Sequence, residues 1–283
     1  MILAGFVLLA VGAADLVRQF VPRRWIGYLA AAVVLLLLGS VSDALLPMVV
    51  ALVAGALWVW CMPDDRPSPA GFWPAVVLAL VVAGAVVWTG GRAHAGLVGA
   101  VWQLRSPFGE VSFDLAMLVL GLSAFLLESA NLVVRAALDG EHTWRPAEQV
   151  ADAPVVVDAT AAGDTAASTI TDTAATTVAP VAPAAAAAGG EPTAVAAAAD
   201  SRSGFKGGRL IGPLERILIL ILTLAAAYPI LAAMLAAKGI VRFPEISRDG
   251  ETGARAEYFL VGSLVSWVIA LGGAFLVWWA AHS

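Results

Sequence analysis

Long apolar runs, separated by short clusters of proline, glycine and charge, recur along this chain of 283 residues. Each run approaches or exceeds the ~20 residues that carry a helix across the hydrocarbon core of a bilayer. The pattern predicts an all-α, polytopic transmembrane bundle of six or seven helices. The first run extends from Ile2 to about Phe20 and stops before Pro22, which lacks the donor a continuing helix needs. No Lys or Arg precedes it, while Arg18, Arg23 and Arg24 follow it. That polarity is the reverse of a cleaved secretory leader and fits an anchor with its N-terminus outside.

Further helices are expected over Trp25 to Gly39, Ala44 to Met62 and Phe72 to Gly90, followed by a longer one from Ser112 to Leu138. Between the last two lies an apolar stretch, Ala95 to Leu104, bracketed by Arg92 and Arg105. It is too short to span and suits a helix lying in the interface. A sixth helix is expected from Leu210 to Lys238, kinked at Pro229, and a seventh from Ala256 to Ala281 with Trp278 and Trp279 at the interface. The chain thus divides into membrane helices over 1–138, a linker over 139–207 and a C-terminal transmembrane hairpin over 208–283.

Composition agrees with lipid as the solvent: 60% of residues are hydrophobic, 13% are charged and the mean hydropathy is +0.88. The net charge of −5 misleads, because the acid is concentrated in the linker. That segment is rich in Ala, Thr, Pro, Gly and Asp and has almost no large apolar residue, so it is expected to be a disordered tether. No basic, aromatic-interleaved patch points to nucleic acid. Cys61 is the only cysteine, which rules out an intramolecular disulfide and a Cys-based zinc site. The three histidines are scattered, and Gly-x-Ser-x-Gly, His-Glu-x-x-His and phosphate-loop motifs are absent. No metal site, cofactor or catalytic residue is therefore expected.

With the N-terminus outside, the inner connections carry nine cations (Arg18, Arg23, Arg24, Arg66, Arg135, Arg145, Arg202, Lys206, Arg209) and the outer ones six (Arg92, Arg105, Lys238, Arg242, Arg248, Arg255). The excess favours a bacterial inner membrane location with the linker in the cytoplasm.

A charge inside a spanning helix costs roughly 2.5–3.5 kcal/mol on insertion scales, so each one asks for a partner. In the fifth helix Glu128, Asn131 and Arg135 recur at i, i+3 and i+7, with Glu128 deepest. The sixth opens with Gly208 and Gly212 at a spacing that lets backbones approach, then Pro213 in the first turn, then Glu215 and Arg216. Glu215 benefits from the positive helix end, and Arg216, turned about 100° away, has Glu128 as its expected partner. Lys238 and Arg242 leave this helix where Glu257 and Tyr258 begin the next, so Glu257 is their expected counter-ion, with an anionic lipid headgroup as a third party. Gly262, Ser263 and Ser266 suit close helix packing.

The set Gly208, Ile211-Gly212, Glu215-Arg216, Ala236-Ala237-Lys238, Arg242-Phe243, Ala256-Glu257-Tyr258, Gly262-Ser263 and Ser266, with "ANLVVR" from Ala130 to Arg135, resembles the C-terminal signature of a family of bacterial integral membrane proteins of unknown function. The resemblance covers about a third of the chain and implies a shared hairpin module without an activity.

Three functions follow from these features. The first is a small transporter, channel or transport accessory built on a buried polar cluster of Glu128, Asn131, Arg135, Glu215 and Arg216. The second is a scaffold or sensor that recruits a membrane partner, or a second copy of itself, through the linker or the Lys238 to Glu257 loop. The third, an intramembrane enzyme acting on lipid, lacks a nucleophile or metal site.

Overall fold

The computed structural model describes residues 1–63, 71–89, 92, 96–106, 109–140, 208–247 and 254–283, with the side chains of 100, 105–106, 139–140, 208–209, 242–247 and 254–258 excepted. Met1–Trp144 and Gly207–Ser283 belong to one compact unit. The expected linker, its disorder and its acidic partners therefore lie outside the described residues, apart from Asp139 and Gly140, which continue a helix.

Helix α1 (Ile2–Phe20) is the central element. Around it stand α2 (Arg24–Val41), α3 (Leu45–Cys61) and α4 (Trp73–Thr89). The stretch expected to lie in the interface holds only a six-residue helix, α5 (Gly96–Val101), and a two-residue strand pair, β1 (Arg105–Ser106) with β2 (Gly109–Glu110). Next come α6 (Phe113–Ala124), a π-helical turn (Phe125–Ser129) and α7 (Ala130–Gly140), which together form one long pass. The C-terminal part comprises α8 (Gly208–Leu224), α9 (Tyr228–Ser247) and α10 (Ala254–His282). Among the described residues, four helical segments are long and apolar enough to cross a membrane: Ile2–Phe20, Arg24–Val41, Phe113–Leu138 and Phe259–His282.

Glycine fixes how closely α1 meets α6. A Cβ on Gly121 would fall 2.2 Å from the Gly5 carbonyl oxygen, and one on Gly12 would fall 2.6 Å from the carbonyl carbon of Ala124. With no hydrophobic drive between helices in lipid, such backbone approach is what gives them dispersion contact. The pairings Gly5 with Leu118 and Gly12 with Ala124 make α1 and α6 parallel. Trp58 of α3 then closes the core by packing edge-on against Phe125, ring centroids 6.1 Å apart.

The sequence expectation fails at the sixth helix. It does not kink at Pro229; it breaks at Ala225–Ala227, where Ala226 takes φ +53°, and the chain turns back. Pro229 is the second residue of a new helix, a position where its missing donor breaks no bond. Pairings across the break show the fold-back. Ile219 and Leu231 share one apolar cluster with Leu222, Met234 and Leu235, and Glu215 meets Lys238. In a continuous helix, residues 23 positions apart would stand about 35 Å from each other. Pro213, expected in a first turn, lies inside α8, which begins two residues earlier than the apolar pattern indicated.

The break reverses everything after it. Gly262 of α10 faces Val134 and Leu138, and Gly273 faces Leu122, so α10 runs antiparallel to α6–α7. Parallel to α8, it shares Ile219 and Ala270 in one cluster. One end of the bundle thus gathers the start of α1, the α2–α3 turn, the end of α4 and the end of α10. The other gathers Arg18, the end of α3, the end of α7, the start of α8 and the α9–α10 connection.

Candidate functional site

Two polar networks meet on the adjacent residues Glu215 and Arg216 of α8. The guanidinium of Arg216 is only 3% exposed. Its Nε donates to Ser266 Oγ of α10 at 2.8 Å, and its Nη1 donates to Asn131 Oδ1 at 2.7 Å and to the Leu126 carbonyl at 3.3 Å. Asn131 in turn donates through Nδ2 to Glu128 Oε2 at 3.2 Å and to the Leu127 carbonyl at 3.3 Å. The π turn makes this possible. Its widened ring points Leu126 and Leu127 carbonyls sideways, and a carbonyl released from the ladder is an acceptor for a cation from the next helix.

The second network uses the other face of α8. Lys238 Nζ donates to both oxygens of Glu215, at 2.8 and 2.6 Å, and Trp267 Nε1 donates to Glu215 Oε1 at 2.9 Å. The ammonium also lies 5.5 Å from the Trp267 ring centroid and 5.8 Å from that of Phe259, within cation–π range. Trp267 and Ser266 are neighbours on α10, so one turn of that helix serves both networks.

Several expectations change. Lys238 pairs with Glu215, a partner the sequence did not indicate, because the break at Ala226 returns Lys238 to the level of Glu215. Arg216 does not bond Glu128 directly; Asn131 stands between them. Gly212 approaches no backbone: a Cβ there would meet only Asn131 Oδ1 at 3.6 Å and Arg216 Nη2 at 3.7 Å. Arg135, one turn beyond Asn131, is exposed and has no partner among the described residues. The side chains of Arg242, Glu257 and Tyr258 lie outside the described set.

Two further ion pairs were not singled out in the sequence. Near the end of α1, Asp15 and Arg18 are 1% and 8% exposed and pair at 3.2 Å. Trp58 Nε1 donates to Asp15 Oδ2 at 2.8 Å, and Arg18 donates to the carbonyls of Met62, at 2.7 Å, and Val59, two orphan acceptors at the end of α3. Asp15 and Arg18 stand at i, i+3 inside an apolar run, so the test applied to Glu128 would have found them. At the opposite end, Arg92 forks onto Asp114 at 2.8 and 3.2 Å while its Nη1 reaches the carbonyls of Ser42 and Asp43. This clamp joins the α2–α3 turn to the start of α6, and Gly96, at φ +63°, lets α5 press against that turn. A clamp between residues so far apart in the chain left no signal in periodicity.

No family model, curated protein or solved structure matches the chain. Among the described residues no group of three or more His, Cys, Asp or Glu side chains stands ready for a metal.

Proposed function

We propose that the protein is a membrane-embedded transport component, a small transporter, channel or accessory to one, rather than an enzyme. The observation that carries this is Arg216, a cation buried among α7, α8 and α10 about halfway along the last of these. Ser266 lies twelve residues before the interfacial Trp278, about 18 Å on a helix. A scaffold has no need of a charge at that depth, where insertion is penalised by roughly 2.5–3.5 kcal/mol. The four charges Glu128, Glu215, Arg216 and Lys238 sum to zero, so the layer can exist in hydrocarbon yet be unbalanced by an arriving solute or proton. The resemblance of the C-terminal residues to a family of bacterial integral membrane proteins belongs to the same proposal.

Orientation belongs to the proposal too. Eight passes result when the broken sixth helix counts as two. Among the described residues and leaving aside Arg216 and Lys238 of the polar layer, one end of the bundle then carries Arg18, Arg23, Arg24, Arg135, Arg209, Arg242 and Arg255, and the other Arg92 and Arg105, seven against two. The cation-rich end is assigned to the cytoplasm of an inner membrane, where it meets anionic headgroups.

The test is permeation into vesicles containing the purified protein, followed by swelling in iso-osmotic solutes of differing size and charge. Wild type is expected to admit at least one solute class that Arg216→Met and Glu128→Gln exclude, with all three proteins equally helical and stable. Equal permeation by wild type, both variants and empty vesicles overturns the proposal.

A further inference from the structure

Every group that Arg216 touches is neutral: a serine hydroxyl, an amide oxygen and a peptide carbonyl. The carboxylate of its sequence neighbour Glu215 is taken by Lys238 and Trp267. The carboxylate of Glu128 is reached only through Asn131. Among the described residues, then, this buried guanidinium has no anion bonded to it and its Nη2 has no acceptor. Buried charges are ordinarily paired, and an arginine offers five donors in a fixed fork.

The position facing Nη2 is vacant by sequence. Gly212 is four residues before Arg216 on the same stripe of α8, and the space its missing side chain leaves adjoins both Nη2 and Asn131, with no other side chain of the described residues within 4 Å. Gly212 is half-exposed, and it lies one helical turn nearer the start of α8 than Arg216. The notch therefore opens toward the cation-rich end of the bundle.

We propose that Arg216 Nη2, in the notch at Gly212, binds one small monovalent anion. An atom at the Cβ position would stand 3.7 Å from Nη2 and 3.6 Å from Asn131 Oδ1, contact distances that suit a halide or one oxygen of a small carboxylate. Two N–H donors on a single nitrogen suit a monovalent ion. The proposal deepens the transport assignment by naming the solute class at the same layer, and it rests on that assignment only for the movement of the ion, not for its binding.

The experiment separates the two. Binding of chloride and of formate to the full-length protein in nanodiscs is measured by thermal shift against sodium gluconate, whose bulky, strongly hydrated anion serves as the control. Wild type is expected to show saturable stabilisation by chloride, formate or both; whichever acts identifies halide or carboxylate chemistry. Gly212→Ala places a methyl group at ordinary contact distance from its neighbours, so the fold survives and the ion-free melting temperature rises, as for other helical Gly→Ala changes. Affinity is expected to fall at least tenfold in this variant and in Arg216→Lys, which removes the forked nitrogen. No saturable effect of either anion on wild type, or undiminished affinity in Gly212→Ala, overturns the binding site. Binding without permeation in vesicles leaves the site standing and sinks the transport assignment; permeation unaffected by Gly212→Ala does the reverse.

Discussion

Asp15 shows what a single buried carboxylate demands in this molecule. It accepts from Arg18 and from the indole of Trp58, and its side chain is fully enclosed. Trp58→Phe keeps the ring that packs on Phe125 but deletes the donor, leaving a buried charged acceptor short of one bond. Such a loss costs about 1–3 kcal/mol, and the thermal midpoint in detergent is expected to fall accordingly, while Trp60→Phe, at a site 80% exposed, changes nothing measurable. At this scale the sequence was partly legible. Glu128, Asn131, Glu215, Arg216 and Lys238 all stand out because charge or amide in an apolar run is rare. Their pairing was not legible, because it depends on a backbone break that no residue type announces: Ala226 adopts a left-handed conformation where glycine would be expected. Arg135 was grouped with Glu128 by spacing alone, but a helix end lets an arginine reach outward.

Among the elements, α1 and α6 define the firmest contact, and glycine is its reason. The expected cost of adding a methyl group depends wholly on what faces it. Gly121→Ala would drive a Cβ against the backbone of Gly5 and separate the two helices, destabilising by about 1–3 kcal/mol or more. Gly84→Ala on α4, with nothing within 4 Å, is expected to be neutral or to stabilise by up to about 1 kcal/mol. Thermal unfolding of the two variants side by side checks the contrast. Apart from the broken sixth, the long helices were readable from hydrophobic runs to within a few residues, because a bilayer enforces length and apolarity. Which glycines lie between helices was not, since a run of small residues looks alike whether it faces lipid or a neighbour.

For the molecule as a whole, the return of α9 alongside α8 puts both chain termini at one end of the bundle. Reporters that are active only in the cytoplasm are therefore expected to give no signal when fused at residue 1 or at residue 283, and full signal when inserted between residues 150 and 200. A bright C-terminal fusion would restore an odd number of crossings and an unbroken sixth helix. The charge pattern becomes intelligible at this scale alone: with seven spans the cations were divided nine to six, and moving the α9–α10 connection to the other side gathers them.

The turn at Ala225–Ala227 also bears on how the chain enters the bilayer in the first place. Glu215 and Lys238 are neutralised within one short hairpin, so the ribosome delivers both members of that pair almost together and they can partition as a zwitterion. Arg216 waits for Ser266, fifty residues downstream, and for a helix made long before. Until α10 arrives, Arg216 has only Asn131 and the Leu126 carbonyl to accept from it, and Ser266 completes its shell last.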